Sequence, residues 1–166
     1  MPTHQHQFTL RTPGRGTTEI TEQVVRFKSY LDGSFVNLTP ESAMDIQRRI
    51  GADLIMQFDE CTAYHVSRDY TEGAMRRSHR WGDRCIAEFA RTDSGRQGLY
   101  GIVQGGVYPE LREESSVWTR ERAFFGTAIG GCLGNSQGGD EAGMTDVVGW
   151  CVPHIHPDRP VHLLGV

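Results

Sequence analysis

The sequence predicts an α/β fold that forms a partial (β/α)8 TIM barrel, with about half of the barrel present. Apolar runs typical of buried strands alternate with amphipathic stretches typical of helices, and right-handed connections between such elements build a parallel sheet. About four β/α units occur, whereas a complete barrel needs roughly 250 residues. The last apolar stretch, Val161–Val166, has no helix after it. This favours a partial barrel over the competing prediction, a self-contained doubly wound sheet.

One domain is predicted after a short tail. Residues 1–16 show no apolar periodicity and end in Thr12-Pro13-Gly14-Arg15-Gly16, so we predict a tail or loop there. Residues 17–166 are predicted to form the β/α units, because a chain of 166 residues buries one core and is too short for two.

The first predicted helix begins at Pro40, because Thr39 can cap its N-terminus and a glutamate follows the proline. It ends at Gly51, and a strand over Ala52–Phe58 comes next. Its buried face is predicted from apolar residues at helical spacing, which are Ala43, Ile46 and Ile50.

The next predicted helix is the longest and covers about residues 68–90. Its buried stripe is predicted from side chains three or four residues apart, which are Tyr70, Ala74, Ser78, Trp81, Cys85 and Phe89. Four arginines on its other faces are expected to form a solvated outer surface, away from the strand ends: Arg76, Arg77, Arg80 and Arg84.

The later elements continue the alternation of strand and helix. They are a strand over Gly98–Val103, a helix over Tyr108–Phe124, a strand over Thr127–Ile129, a glycine-rich helix over Glu141–Val152 and a strand over Val161–Val166.

Composition excludes several classes of protein. Apolar content of 37% and charged content of 23% are typical of a globular domain, and no window approaches the ~18 apolar residues of a membrane span. No signal peptide opens the chain, so we expect a cytoplasmic protein without membrane contact. The net charge of −4 gives no general attraction to nucleic acid.

The four cysteines form no C-x-x-C pair and the histidine pairs lack a third ligand, so reduced thiols and no metal are predicted.

Polar and glycine residues follow three successive predicted strands: Asp59-Glu60-Cys61, Gln104-Gly105-Gly106 and Gly130-Gly131-Cys132. The carboxyl ends of parallel strands meet at one edge of a sheet, so these segments are expected to form one pocket. A guanine-like base matches such a pocket. Its N1–H and N2–H₂ donors fit one carboxylate, and its O6 acceptor fits an amide N–H. A site of this kind would reject bases that lack those donors, because a buried carboxylate would stay unpaired.

The polar and glycine residues after the predicted strands also allow other interpretations. An acid after a strand is often a helix N-cap or an ion-pair partner, so spacing alone leaves the role of Asp59 open, and Glu60 is expected to be structural. Gly-Gly pairs usually mark turns. Cys61 would act as a nucleophile only with a base beside it, and His65 is the local option.

Several motifs resemble those of the tRNA-guanine transglycosylases, also called queuine tRNA-ribosyltransferases. The resemblance runs from about Glu19 to the end, in the order of the family's motifs, so residues 17–166 would be central β/α units of that barrel. The motifs are Ser29–Ser34 with Leu38–Glu41, Phe58–Thr62, Tyr100–Tyr108 with Leu111-Arg112, Ala128–Gly131, and Arg159–Val166.

The resemblance implies a (β/α)8 barrel enzyme, a glycosyltransferase that exchanges guanine at the anticodon wobble position of tRNA for a 7-deazaguanine such as preQ1 or queuine. It assigns Asp59 to the N1/N2 edge of the base, Gln104 to the O6 side and the backbone N–H of Gly131 to O6 itself. The implied partners are tRNA, the base, and a second subunit in a homodimer or heterodimer. The family often has leucine at the position of Cys132, so contacts to the 7-substituent are expected to differ.

The sequence also departs from the family. The family uses two catalytic aspartates and a zinc site with Cys and His ligands. Residues 1–31 contain no aspartate, and neither the segment with the nucleophile nor the zinc ligands occurs in the chain. We therefore predict no catalytic residue, metal or cofactor within this chain, and no activity for the chain alone. Two alternatives remain: a non-catalytic module that binds base or tRNA, and a relative that acts on deazaguanine in DNA.

Overall fold

A computed structural model describes the chain at residues 9–11, 18–63, 66–93, 95–131 and 141–164, with only the backbone described at 9–11, 141 and 142. The elements, in chain order, are β1 (Thr9–Arg11), β2 (Thr18–Ile20), β3 (Val25–Lys28), β4 (Phe35–Leu38), α1 (Pro40–Ile50), β5 (Leu54–Met56), β6 (Asp59–Cys61), α2 (Arg68–Thr92), β7 (Gly98–Val103), α3 (Pro109–Arg120), β8 (Gly126–Ile129), α4 (Glu141–Cys151), a 3-10 turn (Val152–His154) and β9 (Val161–Leu163).

The centre of the fold is a parallel sheet of four strands in the order β5-β7-β8-β9. Each strand pairs with the next one of the sheet along the chain, and α2, α3 and α4 lie in the connections between them. The predicted mixed α/β fold with a parallel sheet is therefore confirmed.

The two faces of this sheet have different neighbours. On one face, strand residues pack against helices in two clusters. The first contains Ile55 and Leu99 with Ala43 of α1 and Trp81 of α2. The second contains Val103 and Ile129 with Val147 and Cys151 of α4. The opposite face carries side chains that pack on one another across the strands, namely Met56, Tyr100, Ile102, Ala128 and Leu164. Alternation along each strand separates the two sets.

Helix α1 has the predicted ends. The Thr39 hydroxyl accepts from the backbone N–H of Ser42, and the Ser42 hydroxyl in turn accepts from the N–H of Thr39. Gly51 ends the helix with φ of 79°, a left-handed conformation that glycine adopts readily. The predicted buried face is wrong at Ile50, which is 53% exposed. The Gln47 side chain is buried instead, and its amide hydrogen-bonds both the N–H and the C=O of Met56.

Four short strands were not predicted. β2, β3 and β4 form an antiparallel meander, and β1 pairs in parallel with β6, opposite Asp59–Cys61. β1 lies within the stretch expected to be a tail or loop. These strands are only three or four residues long, too short for a clear alternation of apolar and polar residues.

The predicted strand over Ala52–Phe58 is wrong in its bounds, because β5 ends at Met56 and β6 begins at Asp59. Two residues in succession turn toward α2 at this break. The Gln57 amide donates to the Ser78 carbonyl at 3.3 Å, and the Phe58 ring stacks on Trp81 with centroids 4.8 Å apart. The side-chain alternation therefore reverses, as at a β-bulge, and Asp59 emerges on the face opposite to α2.

Helix α2 buries most of its predicted stripe, including Ala74, Trp81 and Cys85, although Tyr70 is 38% exposed. The expected solvated surface of arginines is only partly correct. Each of the four pairs with a carboxylate: Arg76 with Glu72 and Glu114, Arg77 with Glu60, Arg80 with Glu22, and Arg84 with Glu41. Across the part of the chain that the structure describes, no helix is both long and apolar enough to cross a bilayer.

Glu60 joins β6 to α2. Its carboxylate is fully buried, accepts from the Tyr70 hydroxyl at 2.6 Å and forms an ion pair with Arg77. Its backbone N–H donates to the Ser78 hydroxyl at 2.9 Å. The expectation that Glu60 is structural agrees with these contacts, whereas the expectation that Arg77 is simply solvated is wrong.

Replacing Arg77 by Met should lower the free energy of unfolding by about 3 kcal/mol, because it leaves a buried carboxylate without its cation. This is the low end for a broken buried ion pair, since the Arg77 side chain keeps 24% of its exposure. Urea unfolding followed by tryptophan fluorescence measures the change. The matched control is Arg76→Met, because Arg76 is half exposed and neither of its partners, Glu72 and Glu114, is fully buried. Its unfolding midpoint should stay near that of the wild type. Equal midpoints for the two variants would refute the buried role of Arg77.

Candidate functional site

The three predicted site residues lie together at the carboxyl edge of the parallel sheet. The Gln104 side-chain N–H donates to Asp59 Oδ2 at 2.6 Å. Gly131 is beside them, since a Cβ built on it would lie 2.6 Å from Gln104 Oε1. Three segments that are distant in sequence, the start of β6 and the residues after β7 and β8, therefore meet at this edge.

Asp59 is a buried acid with an unusual protonation equilibrium. Its side chain is 1% exposed. Burial raises the pKa of Asp59 to about 7, the Gln104 hydrogen bond opposes this rise, and the neighbouring charge of Glu60 adds to it. The carboxyl can therefore gain or lose a proton near neutral pH, which is common at ligand sites.

Gln104 is held by its backbone as well as its side chain. Its N–H donates to the Ser115 hydroxyl at 3.1 Å, and that hydroxyl also lies 3.1 Å from Nε2 of His79. Burial lowers the pKa of His79 to about 3, so the ring is neutral at pH 7. The Ser115 hydroxyl accepts from Gln104 and shares a second hydrogen bond with His79 Nε2, whose direction is set by the tautomer of the neutral ring. The His79 ring is fixed by stacking on Trp118, with centroids 4.3 Å apart.

Glycine is required at two positions of the site. Gly105 has φ of 133°, and a Cβ there would lie 2.9 Å from the backbone N of Arg112. Gly131 has φ of 68° and would push its Cβ against Gln104. Both conformations are strained for other residues, so the Gly-Gly pairs bring backbone close to the polar side chains.

Arg112 is the largest polar side chain among these residues and is fully buried. Its guanidinium donates to the carbonyl oxygens of Gly106 at 2.7 Å, Val103 at 3.0 Å and Gly130 at 2.6 Å. These carbonyls belong to the last residue of β7 and to the segments after β7 and β8, so one side chain from α3 connects two walls of the site.

A cleft reaches Asp59 from the edge of the sheet at β5. It contains about 230 Å³ of empty space, part of it open to solvent. Its lining residues are Ala43, Gln47, Met56, Gln57, Phe58, Asp59 and Ile102. The cleft therefore brings solvent-connected space to the buried carboxyl of Asp59.

Sequence reasoning missed Arg112, Ser115 and His79 as part of the site. One signal for the first two was present, since the buried residues of α3 include a polar stripe at helical spacing: Arg112, Ser115, Ser116 and Thr119. Polar residues on the buried side of a helix need partners. The high Glu and Arg content of α3 concealed that stripe.

Several sequence predictions lie outside the described residues. They include His65, the suggested base for Cys61, and Cys132 after the second Gly-Gly pair. Among the residues that the structure describes, no three His, Cys, Asp or Glu side chains converge as metal ligands do. The zinc site expected for longer family members stays a prediction.

The fold and the site together define an α/β protein with a buried acid, an amide and a glycine backbone at the carboxyl edge of a parallel sheet. Comparison with known families makes the class specific. The family described as queuine tRNA-ribosyltransferase matches residues 3–166. The chain belongs to this family, which confirms the resemblance found in its motifs.

Individual relatives of the chain carry the same family name. The chain is 45% identical over 151 residues to the queuine tRNA-ribosyltransferase of Ruminiclostridium cellulolyticum, a match that covers 91% of this chain and 39% of the relative. It is 41% identical over 160 residues to the enzyme of that name from Roseiflexus sp., with coverage of 91% and 39%. The relative from Herpetosiphon aurantiacus, of the same name, is 43% identical over 149 residues, with coverage of 90% and 36%. The chain thus spans less than half of the length of each.

Asp59 should make the stability of the chain fall as pH rises from about 4 to about 7. The native state keeps a proton on Asp59 over this window, whereas the unfolded state releases it near the ordinary value of 3.8. The free energy of unfolding therefore decreases with pH, by up to about 1.4 kcal/mol per unit from this group. Urea unfolding of wild type and Asp59→Asn at several pH values measures it, because the variant should lack this component.

The control is Asp45→Asn. The hydrogen bond from Arg48 lowers the pKa of this exposed carboxyl, so its contribution is lost only as pH falls below about 4. The difference between Asp45→Asn and wild type should be flat from pH 5 to about 8. If wild type and Asp59→Asn gave parallel stability curves from about pH 4 to 7, the pKa of Asp59 would not be raised.

Proposed function

We propose that the protein exchanges guanine at the wobble position of a tRNA anticodon for a 7-deazaguanine, and that this chain carries the part that recognises the base. The observation that carries the proposal is the buried contact between Asp59 and Gln104 beside Gly131. Membership in the queuine tRNA-ribosyltransferase family supports the reaction class.

The donor and acceptor groups of the site match guanine. In the proposed complex the ionised Asp59 accepts from N1–H and N2–H₂, while the Gln104 amide and the Gly131 N–H donate to O6. The Gln104 amide now donates to Asp59 Oδ2, so it has to leave this carboxylate oxygen when the base enters. A wobble base must also leave the anticodon stack to reach a buried acid.

We infer that the four-stranded sheet is an arc of a (β/α)8 barrel. Two observations support this arrangement over a doubly wound sheet. The strand order follows the chain without the reversal that defines doubly wound sheets. In addition, α1, α2 and α4 contribute to clusters on one face, while side chains of the strands themselves fill the other, as in the packed interior of a barrel.

The chain does not by itself provide the proposed chemistry. Replacing a purine on ribose needs a nucleophile for the sugar and an acid or base for the departing nitrogen. We propose that this chain holds neither of the two aspartates assigned to these roles in the family, because residues 1–31 contain no aspartate and the motif segment with the nucleophile does not occur in the sequence. Asp59 is assigned to base recognition and not to attack on the sugar.

Guanine should bind the 166-residue chain more tightly than hypoxanthine, which lacks the N2 amino group that pairs with Asp59. Asp59→Asn should lower guanine affinity about 10- to 100-fold, because it removes a charge-assisted hydrogen bond and offers a donor where an acceptor is needed. Guanine affinity of the wild type should also rise as pH increases through about 7 and level off above it, because Asp59 ionises over that range. Titration calorimetry measures all three.

Asp83→Asn is the matched control, because Asp83 is on α2 and pairs with Arg122 at the surface. Its guanine affinity should equal that of the wild type. Two results would refute recognition of the base by Asp59: no preference of the wild type for guanine over hypoxanthine, or an unchanged affinity in Asp59→Asn.

The chain alone should not incorporate labelled guanine into tRNA, since the loss of catalytic groups costs orders of magnitude in rate. An intact member of the family, assayed on the same tRNA, provides the positive control. Turnover by the 166-residue chain comparable to that control would show that its own residues supply the catalytic groups.

A further inference from the structure

The peptide bond between Val103 and Gln104 is held at both of its polar atoms by α3. The Val103 carbonyl accepts from Arg112 Nη1 at 3.0 Å, and the Gln104 N–H donates to the Ser115 hydroxyl at 3.1 Å. Arg112 and Ser115 are three residues apart, so they lie on the same face of the helix. The orientation of Gln104 is therefore set by α3 and not by its own strand alone.

A second peptide bond is oriented by the same guanidinium. Arg112 Nη1 also donates to the Gly130 carbonyl at 2.6 Å. A trans peptide is planar, and its C=O and N–H point in opposite directions. Fixing the Gly130 carbonyl therefore fixes the direction of the Gly131 N–H, which belongs to the same peptide unit.

Arginine suits position 112 better than lysine for a physical reason. A buried charge is costly unless it is hydrogen-bonded, and this guanidinium donates to the three carbonyls of Val103, Gly106 and Gly130. Its rigid, planar fork can contact two segments at once, whereas a lysine presents a single point charge on a flexible stem. Arg112→Lys would keep the charge and loosen the geometry.

We propose that Arg112, with Ser115 as the second contact from α3, is the positioning residue for the O6 half of the base site. It aligns the Gly131 N–H and the Gln104 side chain, while Asp59 on the opposite wall is set by β6. This inference rests on the proposed function, because it assumes that guanine O6 meets these two donors. It predicts that changes at Arg112 weaken recognition of O6 selectively.

Three bases separate the O6 side from the N2 side. 6-Thioguanine keeps N1–H and N2–H₂ but replaces O6 by sulfur, a weaker acceptor, and hypoxanthine keeps O6 but lacks the N2 amino group. In Arg112→Lys, the preference for guanine over 6-thioguanine should fall about five- to tenfold, the effect of one hydrogen bond. The preference for guanine over hypoxanthine should stay within about twofold of the wild type. Titration calorimetry on the 166-residue chain measures both ratios.

Two further variants complete the experiment. Arg120→Lys makes the same substitution at the last residue of the same helix, two turns beyond Arg112, and should leave both ratios unchanged. Ser115→Ala removes the other contact to the Val103–Gln104 peptide with little change in volume. It should also reduce the preference over 6-thioguanine, and it decides the question if Arg112→Lys does not fold by circular dichroism.

The outcomes are distinct. The positioning role would be overturned if Arg112→Lys lost affinity equally for all three bases. If Arg112→Lys does not fold, unchanged ratios in Ser115→Ala would overturn it instead. In both cases a wild type that prefers guanine over hypoxanthine would leave the proposed function standing. A wild type without that preference overturns the proposed function, and this inference with it.

Discussion

The burial of one carboxylate, that of Asp59, is the constraint around which the site is built. An isolated charge in the protein interior is costly. Burial accordingly raises the pKa of Asp59, and Gln104 donates a hydrogen bond to its carboxylate. That bond requires Gln104 to approach closely, and the approach requires a glycine at position 131. The start of β6 and the loops after β7 and β8 are thus linked through a single acid.

Helix α3 stabilises this arrangement through hydrogen bonds to the backbone at Val103 and Gln104. Its buried side is polar, with Arg112 and Ser115 in contact with the backbone of the loops and not with an apolar core. His79 of α2 extends the same set of hydrogen bonds and is kept neutral by burial. The walls of the site are accordingly fixed by side chains that need not touch a ligand, so their geometry can exist before a base arrives.

The parts of the fold that could be predicted from the sequence are those whose signal is local. The strand Gly98–Val103 is correct at both ends because it is apolar throughout and buried on both faces, and α1 is correct because its caps are explicit. Asp59, Gln104 and Gly131 were found together because each follows a strand predicted from the sequence. The partner of Arg77 was not foreseeable in this way, since Glu60 is 17 residues away and its direction depends on the break at Gln57 and Phe58.

That break also constrains how the sequence can change. Two adjacent acids, Asp59 and Glu60, differ in their surroundings only because Gln57 and Phe58 both turn toward α2. Gaining or losing one residue between Met56 and Asp59 would turn each of the two acids to the other face of the strand. The spacing of this segment should thus be less tolerant of insertion and deletion than of substitution, although neither residue of the break is one of the three assigned to the base.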